Sequence, residues 1–99
     1  MKKFDVYRIG PELYLVVQAD HLLDLNSIVL VPLLPADGQP ALSRLTVEVR
    51  VDGGIYRVQA HMPLTVSGTR LRAMTPVARL TPDEGQKVMD GLNTILWGF

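Results

Sequence analysis

Hydrophobic and polar positions alternate most regularly in the middle of the chain. From residue 45 to residue 51 every second side chain is a leucine or valine and the others are polar, which is the two-residue period of a half-buried strand. Asp52-Gly53-Gly54 follows and tolerates the positive φ of a tight turn. Residues 55–60 alternate again, with Tyr56 and Val58 on one face. The pattern predicts a β-hairpin over residues 45–60.

Shorter apolar segments predict the other strands. Residues 4–9 and 13–18 flank Gly10-Pro11, so we expect a second hairpin. The continuous apolar run over residues 28–34 is typical of a strand covered on both faces. Residues 64–66 and 77–80 are short strand candidates, and the prolines next to them place them near edges or at strand starts. Residues 20–27 and 35–43 are predicted to be loops.

The C-terminal segment predicts a helix. Thr81 can cap it, Pro82 suits its first position, and Glu84 stands where a capping-box acid belongs. Gly85 and Gly91 each weaken a helix by about 1 kcal/mol relative to alanine, so we expect them to permit close packing. Apolar residues at helical spacing then form one stripe, composed of Val88, Leu92, Ile95 and Leu96.

About seven short strands followed by one helix predict a single domain over residues 1–99. Its expected class is α+β, mainly β, with a mostly antiparallel sheet. Apolar residues make up 47% of the 99 residues, which is enough for a folded core. Because a domain of this size has a thin stability margin, a dimer interface would help it.

Charge and cysteine content exclude several functions. Ten basic and ten acidic residues cancel, which disfavours tight binding to nucleic acid through phosphates. A local basic patch at Arg70, Arg72 and Arg79 stays open. There is no cysteine, which excludes disulfides and thiol catalysis. We expect no cofactor, and His21 and His61 are expected to be surface or hydrogen-bonded residues rather than metal ligands.

The compartment is predicted from the lack of export and membrane signals. No apolar run of signal-peptide length follows the N-terminal lysines. The longest apolar run, over residues 28–34, is too short to cross a bilayer. We therefore expect a soluble, cytoplasmic protein that makes no membrane contact.

The last three residues, Trp97-Gly98-Phe99, are predicted to lie just beyond the helix. They include the only tryptophan, and two interpretations are open for it. Trp97 either folds back onto the core of its own domain or is presented to a partner, since aromatic side chains are typical interface anchors. In the second case Gly98 lets the backbone approach a surface closely.

Several fragments resemble the CcdB toxins in order and spacing across the whole chain. The ending resembles the short apolar run and Trp-Gly-Ile with which that family finishes, although Phe99 replaces isoleucine. The tetrapeptide at residues 4–7 resembles the family's Phe-x-Val-Tyr. Residues 17–20 resemble its Val-Gln-Ser-Asp, the Leu-Leu-Asp that follows resembles its Ile-Ile-Asp, and residues 31–33 resemble its Ile-Pro-Leu. Residues 35–43 and 62–74 match poorly.

This resemblance implies a fold and a function. The fold is a small antiparallel barrel-like sheet with a side sheet and a C-terminal helix, assembled as a homodimer. The function is that of a toxin, not an enzyme, which poisons DNA gyrase by trapping its cleaved-DNA complex. Trp97 would stack on an arginine of the gyrase A subunit, Gly98 would let the backbone approach closely, and Phe99 would fill an adjoining apolar site. A CcdA-like antitoxin would neutralise the toxin, and operator DNA would be bound only by the toxin–antitoxin complex that represses the operon.

Two other functions remain open. The related MazF and Kid toxins are metal-independent endoribonucleases, and that chemistry needs a general base, a general acid and a cation. Candidates are Asp20 or His61 acting with Arg50, Arg57 or Arg72, although nothing in the sequence brings them together. The third alternative is an inert dimeric binding module. Met62, Met74 and Met89 are interpreted as core or interface filler, and the helix surface with Met89 and Leu92 is the suggested dimer interface.

Overall fold

Seven strands of the computed structural model, which describes residues 1–37 and 46–98, form one antiparallel sheet. The strand order is β4-β5-β3-β2-β1-β7, and β6 pairs with β3 beside β5. The sheet curls into a nearly closed barrel, and the C-terminal helix packs against the edge strand β4. The strands are β1 (Asp5–Ile9), β2 (Glu12–Val16), β3 (Ser27–Pro35), β4 (Thr46–Val51), β5 (Gly54–Gln59), β6 (Leu64–Ser67) and β7 (Ala78–Arg79), and the helices are α1 (Gly68–Arg72) and α2 (Pro82–Trp97).

Both predicted hairpins are confirmed, each with a two-residue turn. Gly10-Pro11 joins β1 to β2, and Gly10 has a φ of 62°. Asp52-Gly53 joins β4 to β5 with φ values of 50° and 82°. Two consecutive positive φ angles match the right-handed twist of the flanking strands. Leu45 and most of the predicted 35–43 loop lie outside the described residues.

Strand β3 belongs to two cores, which confirms that it is covered on both faces. Val31 and Leu33 lie in the core that Val88 of α2 also enters, together with residues of β1, β2, β4 and β5. Ile28 and Leu30, on the other face, pack in a second core that contains Leu71 of α1 and is completed by Tyr7, Val16 and Leu23. The two helices therefore cover different faces of the same sheet.

The edge of β3 that faces away from β2 has two partners in succession. Residues 27–30 pair with β6, whereas residues 33–35 pair with β5. Pro32 lies between these two segments and is aligned with Tyr14 of β2. Because proline has no backbone N–H, this is a point at which the ladder cannot be continuous. The strands β5 and β6 therefore pair with separate parts of this edge, on either side of Pro32.

The predicted start of the C-terminal helix is confirmed in full. The Thr81 hydroxyl accepts a hydrogen bond from the Glu84 N–H at 3.2 Å, and the Glu84 carboxylate accepts one from the Thr81 N–H at 2.9 Å. This reciprocal pair satisfies two N–H groups that would otherwise lack partners. Pro82 occupies the first helical position.

The structure differs from the sequence-based expectation at three places. Residues 20–22, placed in a loop, form a turn of 3-10 helix, and α1 has no counterpart among the predicted elements. A helix of five residues shows too little periodicity to be recognised, and α1 depends on the Ser67 hydroxyl, which accepts from the Arg70 N–H. The third correction concerns the tail, since Trp97 is the last residue of α2 rather than a residue beyond it.

Candidate functional site

The end of helix α2 presents the only tryptophan to solvent. The side chain of Trp97 is 69% exposed. The next residue, Gly98, has a φ of 77°, and its N–H donates to the Thr94 carbonyl at 2.8 Å, which ends the helix. Glycine adopts this left-handed conformation without the penalty that a Cβ brings. Of the two interpretations of Trp97, folding back onto the core is therefore wrong, and Phe99 lies outside the described residues.

The apolar stripe of α2 leaves the core before the helix ends. Val88 is fully buried and Leu92 packs partly against the first core. Ile95 is more than one-third exposed and Leu96 is 70% exposed. The last three helical residues, Ile95, Leu96 and Trp97, are thus an apolar surface that the domain itself does not cover. Exposed apolar surface of this kind typically marks an interaction site.

Leu96 also lines a groove of about 510 Å³ between α2 and the segment that follows β2. We call it the helix groove. It contains Met89 and Leu92, the residues suggested as a dimer interface, and its walls are mainly apolar. The opposite wall includes Leu22 and Leu25, which are 40% and 49% exposed. The helix groove and the exposed end of α2 are therefore one continuous surface.

The turn over residues 22–25, named the 22–25 turn, is held by two side chains, Gln18 just before it and Arg72 of the distant helix α1. The Gln18 amide nitrogen donates to the Leu22 carbonyl at 2.6 Å, and its oxygen accepts from the Val29 N–H at 2.9 Å. Nη1 of Arg72 lies 2.9 Å from the Leu23 carbonyl oxygen and 3.4 Å from that of Leu25. Leu23 points into the second core, so Leu22 and Leu25 face outward.

A second groove, of about 440 Å³, lies beside Pro32 of β3, between β2 and residues 62–64. Its lining residues include Glu12, Tyr14, Pro32 and Met62. The Tyr14 hydroxyl donates to the Glu12 carboxylate at 2.8 Å, and this hydrogen bond is the main reason why the pKa of Tyr14 is raised. Among the described residues, the only charged side chain that lines this groove is a carboxylate, which suits neither phosphate nor an RNA backbone.

A third groove, of about 320 Å³, combines Arg50 with Glu48 and Glu84. Glu48 forms an ion pair with Arg57 at 3.3 Å, and Glu84 closes the capping box of α2. Both carboxylates therefore have structural partners. This groove brings one of the predicted cations, Arg50, next to acids other than those predicted.

The residues suggested for RNA cleavage do not meet in any of these three grooves. Asp20 accepts a hydrogen bond from the Lys3 N–H at 2.8 Å, and Arg72 is committed to the 22–25 turn. His61 is exposed and lines none of the three grooves. Two arginines of the suggested basic patch also have partners within the fold. Arg72 contacts the carbonyls of the 22–25 turn, and Arg79 Nε lies 2.7 Å from the Asp5 carboxylate.

The described residues form neither a cluster of metal ligands nor a membrane-spanning helix. Over residues 1–37 and 46–98, no three His, Cys, Asp or Glu side chains are grouped in a way that could hold a metal ion. Within the same part of the chain, the helices are too short or too polar to span a lipid bilayer.

Solved structures with a similar fold include endoribonucleases and MazE–MazF. An endoribonuclease from a Mycobacterial species has a TM-score of 0.77 at 20% identity, covering 97% of this chain and 90% of that one. A Mycobacterial endoribonuclease in complex with its cognate antitoxin has a TM-score of 0.76 at 19% identity, covering 97% and 94%. A MazE–MazF structure from Deinococcus radiodurans gives 0.74 at 17% identity, covering 97% and 95%. These likenesses confirm the predicted barrel-like fold with its C-terminal helix.

The family is identified from the sequence. A search of curated proteins finds no match. The family profile described as CcdB protein, however, matches residues 3–98, which is nearly the whole chain. The match includes Trp97 and Gly98 at the exposed end of α2, and the chain therefore belongs to the CcdB family of toxins from toxin–antitoxin systems.

Proposed function

We propose that this protein poisons DNA gyrase and that Trp97 is its principal contact with the gyrase A subunit. The observation that carries the proposal is the exposure of Trp97 at the end of a capped helix. A tryptophan held outward on a helix loses little conformational freedom when it binds, which is a property of interface hot spots. Gly98 and Phe99 extend the same contact, with Gly98 allowing close approach of the backbone.

The chemistry of this contact is noncovalent. An indole face under an arginine guanidinium contributes on the order of 0.5–2 kcal/mol, and Ile95 adds apolar area beside it. The toxin acts by binding the gyrase state with cleaved DNA better than the other states, because only a difference in affinity can shift the populations of the cycle. No catalytic residue is required, and the protein is proposed to be an inhibitor rather than an enzyme.

A homodimer formed through the helix groove would double this contact. Gyrase has a two-fold axis, and a two-fold toxin offers the same helix end to both halves. The helix groove supports this assembly, since its apolar walls lie next to Trp97 and include Met89 and Leu92. A second copy would cover Leu22, Leu25 and Leu96 and leave both tryptophans close to the symmetry axis.

The second proposed partner is a CcdA-like antitoxin in the cytoplasm. The likeness to a toxin fold solved with its cognate antitoxin supports such a partner. The antitoxin would release gyrase from the toxin, and the complex of the two would bind operator DNA and repress the operon. The balanced charge of the chain agrees with DNA binding that depends on the antitoxin.

The test is a gyrase cleavage assay with purified protein. Wild-type protein should stabilise the cleaved gyrase–DNA complex, and Trp97→Ala should lose this activity by about tenfold or more, the equivalent of one aromatic hot spot. Ile55→Ala is the matched control, because Ile55 is also an exposed apolar residue but lies in another groove. Equal activity of wild-type protein and Trp97→Ala would refute the assigned role.

Endoribonuclease activity is the second candidate, because similar folds belong to endoribonucleases. The arrangement of side chains favours it less, since the three grooves do not unite Asp20 or His61 with a free cation. The groove with Arg50, Glu48 and Glu84 is the one that would have to act. Cleavage of single-stranded RNA by wild-type protein, abolished in Arg50→Met, would establish this alternative.

A further inference from the structure

The turn that leads into β1 has a phenylalanine at a position where glycine is the usual residue. The Asp5 N–H donates to the Lys2 carbonyl at 3.0 Å, which closes a turn over residues 2–5. Phe4 is the third residue of this turn and has a φ of 73°. A positive φ at this place favours glycine or asparagine, and a bulky side chain there is strained. Strain of this kind persists only where the surrounding structure enforces it.

Contacts on both sides of the turn hold Phe4 in this conformation. Its N–H donates to the Val16 carbonyl at 2.8 Å, and its carbonyl accepts from the Leu80 N–H at 3.0 Å. The neighbouring Lys3 N–H donates to the Asp20 carboxylate at 2.8 Å, and the Lys3 ammonium lies 5.3 Å from the centre of the Phe4 ring. The turn is thus joined to β2, to the segment that leads into α2 and to the 3-10 helix. The direction in which the ring points is therefore set by the backbone.

The ring of Phe4 supports the first turns of α2. A Cβ at Gly85 would lie 2.4, 2.5 and 2.7 Å from the ring carbons Cε2, Cδ2 and Cζ. Because glycine has no side chain, the helix backbone itself rests against the ring. The ring also packs against the first core, which Val88 enters three residues later in the helix. The ring therefore sets how closely the start of α2 approaches the sheet.

We propose that Phe4 is a positioning residue for Trp97. Its ring fixes the direction of α2, and the direction of α2 decides where the exposed indole is held. Trp97 is the last residue of the helix, so its position follows that of the helix axis. This role rests on the proposed contact between Trp97 and the gyrase A subunit. The direction of α2, by contrast, is a property of the protein alone and can be measured without gyrase.

The length of α2 amplifies a small movement at its start. Val88 is completely buried in the first core and is the point about which the helix tilts. At a rise of about 1.5 Å per residue, Gly85 lies about 4.5 Å along the axis from Val88, and Trp97 lies about 13.5 Å from it on the other side. A shift of about 1 Å at Gly85 therefore moves Trp97 by about 3 Å. A gap of about 1 Å already forfeits up to about half of a dispersion contact, so this movement would remove most of the contact.

Two substitutions separate the ring from the strained backbone. Phe4→Leu keeps the carbons next to the backbone and lacks the outer ring carbons Cε2 and Cζ that lie against Gly85. Phe4→Gly removes the whole side chain but relieves the positive φ. Tyr56→Leu is the matched control, because Tyr56 also packs against the first core, while its ring lies against Gly54 of its own strand.

The direction of α2 is measured first, in each full-length protein without gyrase. Residual dipolar couplings of the backbone amides give the orientation of α2 relative to β2 and β3. The helix should be tilted by about 10° in Phe4→Leu and Phe4→Gly, which corresponds to a shift of about 1 Å at Gly85. It should keep the wild-type orientation in Tyr56→Leu. A wild-type orientation in both Phe4 variants would overturn the positioning role.

Binding to the gyrase A subunit then tests whether this direction matters for Trp97. Phe4→Leu and Phe4→Gly should weaken binding by about three- to tenfold, and by no more than Trp97→Ala does. In a Trp97→Ala background neither substitution should weaken binding further, because the ring acts through the indole. Tyr56→Leu should bind as wild type does, although urea denaturation shows a loss of stability similar to that of Phe4→Leu.

A merely structural role of Phe4 predicts a different result. The losses of affinity in Phe4→Leu and Trp97→Ala would then add in the double variant, as they do for independent sites, and that result would overturn the proposal. If wild-type protein fails to bind gyrase, the proposed function is wrong. The dipolar couplings alone then decide whether Phe4 sets the direction of α2 and the place of its exposed end.

Discussion

The ring of Phe4 lies against Gly85 so closely that no side chain can be added to the helix there. A Cβ at Gly85 would be 2.4 Å from the nearest ring carbon. The ring cannot easily retreat, because the Phe4 backbone is bonded on both sides, its N–H to the Val16 carbonyl and its carbonyl to the Leu80 N–H. This contact packs the start of α2 against the start of β1. Gly85 is required for packing, as expected from its place in the helix.

Gly85→Ala is expected to lower the free energy of unfolding by about 1 kcal/mol. Alanine gains about 1 kcal/mol in helix propensity, but inserting a methyl group into a tightly packed contact costs about 1–3 kcal/mol. The net effect should be visible as a lower midpoint in urea denaturation. Gln86→Ala, an exposed neighbour on the same helix turn, should leave the midpoint unchanged or raise it slightly.

A double-mutant cycle assigns the effect to the ring. In a Phe4→Ala background the space above Gly85 is empty, so Gly85→Ala should become neutral or stabilising. The two substitutions should therefore be non-additive by about 0.5–3 kcal/mol, as for residues in direct contact. Strict additivity would mean that the clash with Phe4 is not what limits position 85.

Asp5→Asn should destabilise the fold by about 1–3 kcal/mol, the cost of a disturbed buried polar group. The Asp5 carboxylate is almost completely buried and accepts from Arg79 Nε at 2.7 Å and from the Lys2 N–H at 2.9 Å. An asparagine keeps one acceptor and places an N–H₂ group against a donor. Thermal denaturation measures the change.

Glu48→Gln is the control for Asp5→Asn. It breaks the ion pair between Glu48 and Arg57, in which the carboxylate is largely exposed, and exposed pairs contribute little to stability. Its melting temperature should stay close to that of wild type. A similar loss of stability in both variants would show that the buried ion pair of Asp5 contributes no more than the exposed pair of Glu48.

Local signals in the sequence predicted much of this fold. Alternation and turn residues were sufficient for the hairpins, and Thr81 with Glu84 was sufficient for the start of α2. The contacts of Arg72 with Leu23 and Leu25 join residues 49 and 47 positions apart, and no local pattern reports such pairs. The exposure of Trp97 could not be predicted from the sequence either, because it depends on where α2 lies on the sheet.

The stability of the wild-type protein is expected to fall more steeply above pH 10 than that of Tyr7→Phe. Burial, with a smaller contribution from the Asp5 carboxylate, raises the pKa of Tyr7, while a tyrosine in the unfolded chain ionises at about 10. The folded state therefore holds this proton more tightly. The associated stability is fully present below the unfolded pKa and is lost as the pH rises through the folded pKa.

Denaturation midpoints measured from pH 8 upward in both proteins test this titration. The difference in denaturation midpoint between wild type and Tyr7→Phe should be constant at the lower pH values. Above about pH 10 the midpoint of wild type should fall relative to that of Tyr7→Phe. A constant difference over the whole range would show that the Tyr7 phenol does not ionise with unfolding.

Leu96→Glu is expected to break the proposed dimer without unfolding the subunit. Leu96 is 70% exposed and lines the helix groove, so a carboxylate there is hydrated in the isolated chain but would be buried by a second copy. Burying an unpaired charge costs several kcal/mol, enough to change the association constant by more than tenfold. Sedimentation velocity should show a monomer, while far-ultraviolet circular dichroism stays that of wild type.

Ile55→Glu separates this effect from a general change in surface charge. Ile55 is exposed to a similar degree as the groove leucines but lies at the β4–β5 hairpin, in the groove with Glu48 and Arg50. This variant adds the same charge and removes a similar apolar side chain, and it should remain dimeric. If Ile55→Glu dissociates and Leu96→Glu does not, the subunits meet through the β4–β5 hairpin. The helix groove and Trp97 would then be free on each copy, and two-fold presentation of the helix ends would have no structural basis.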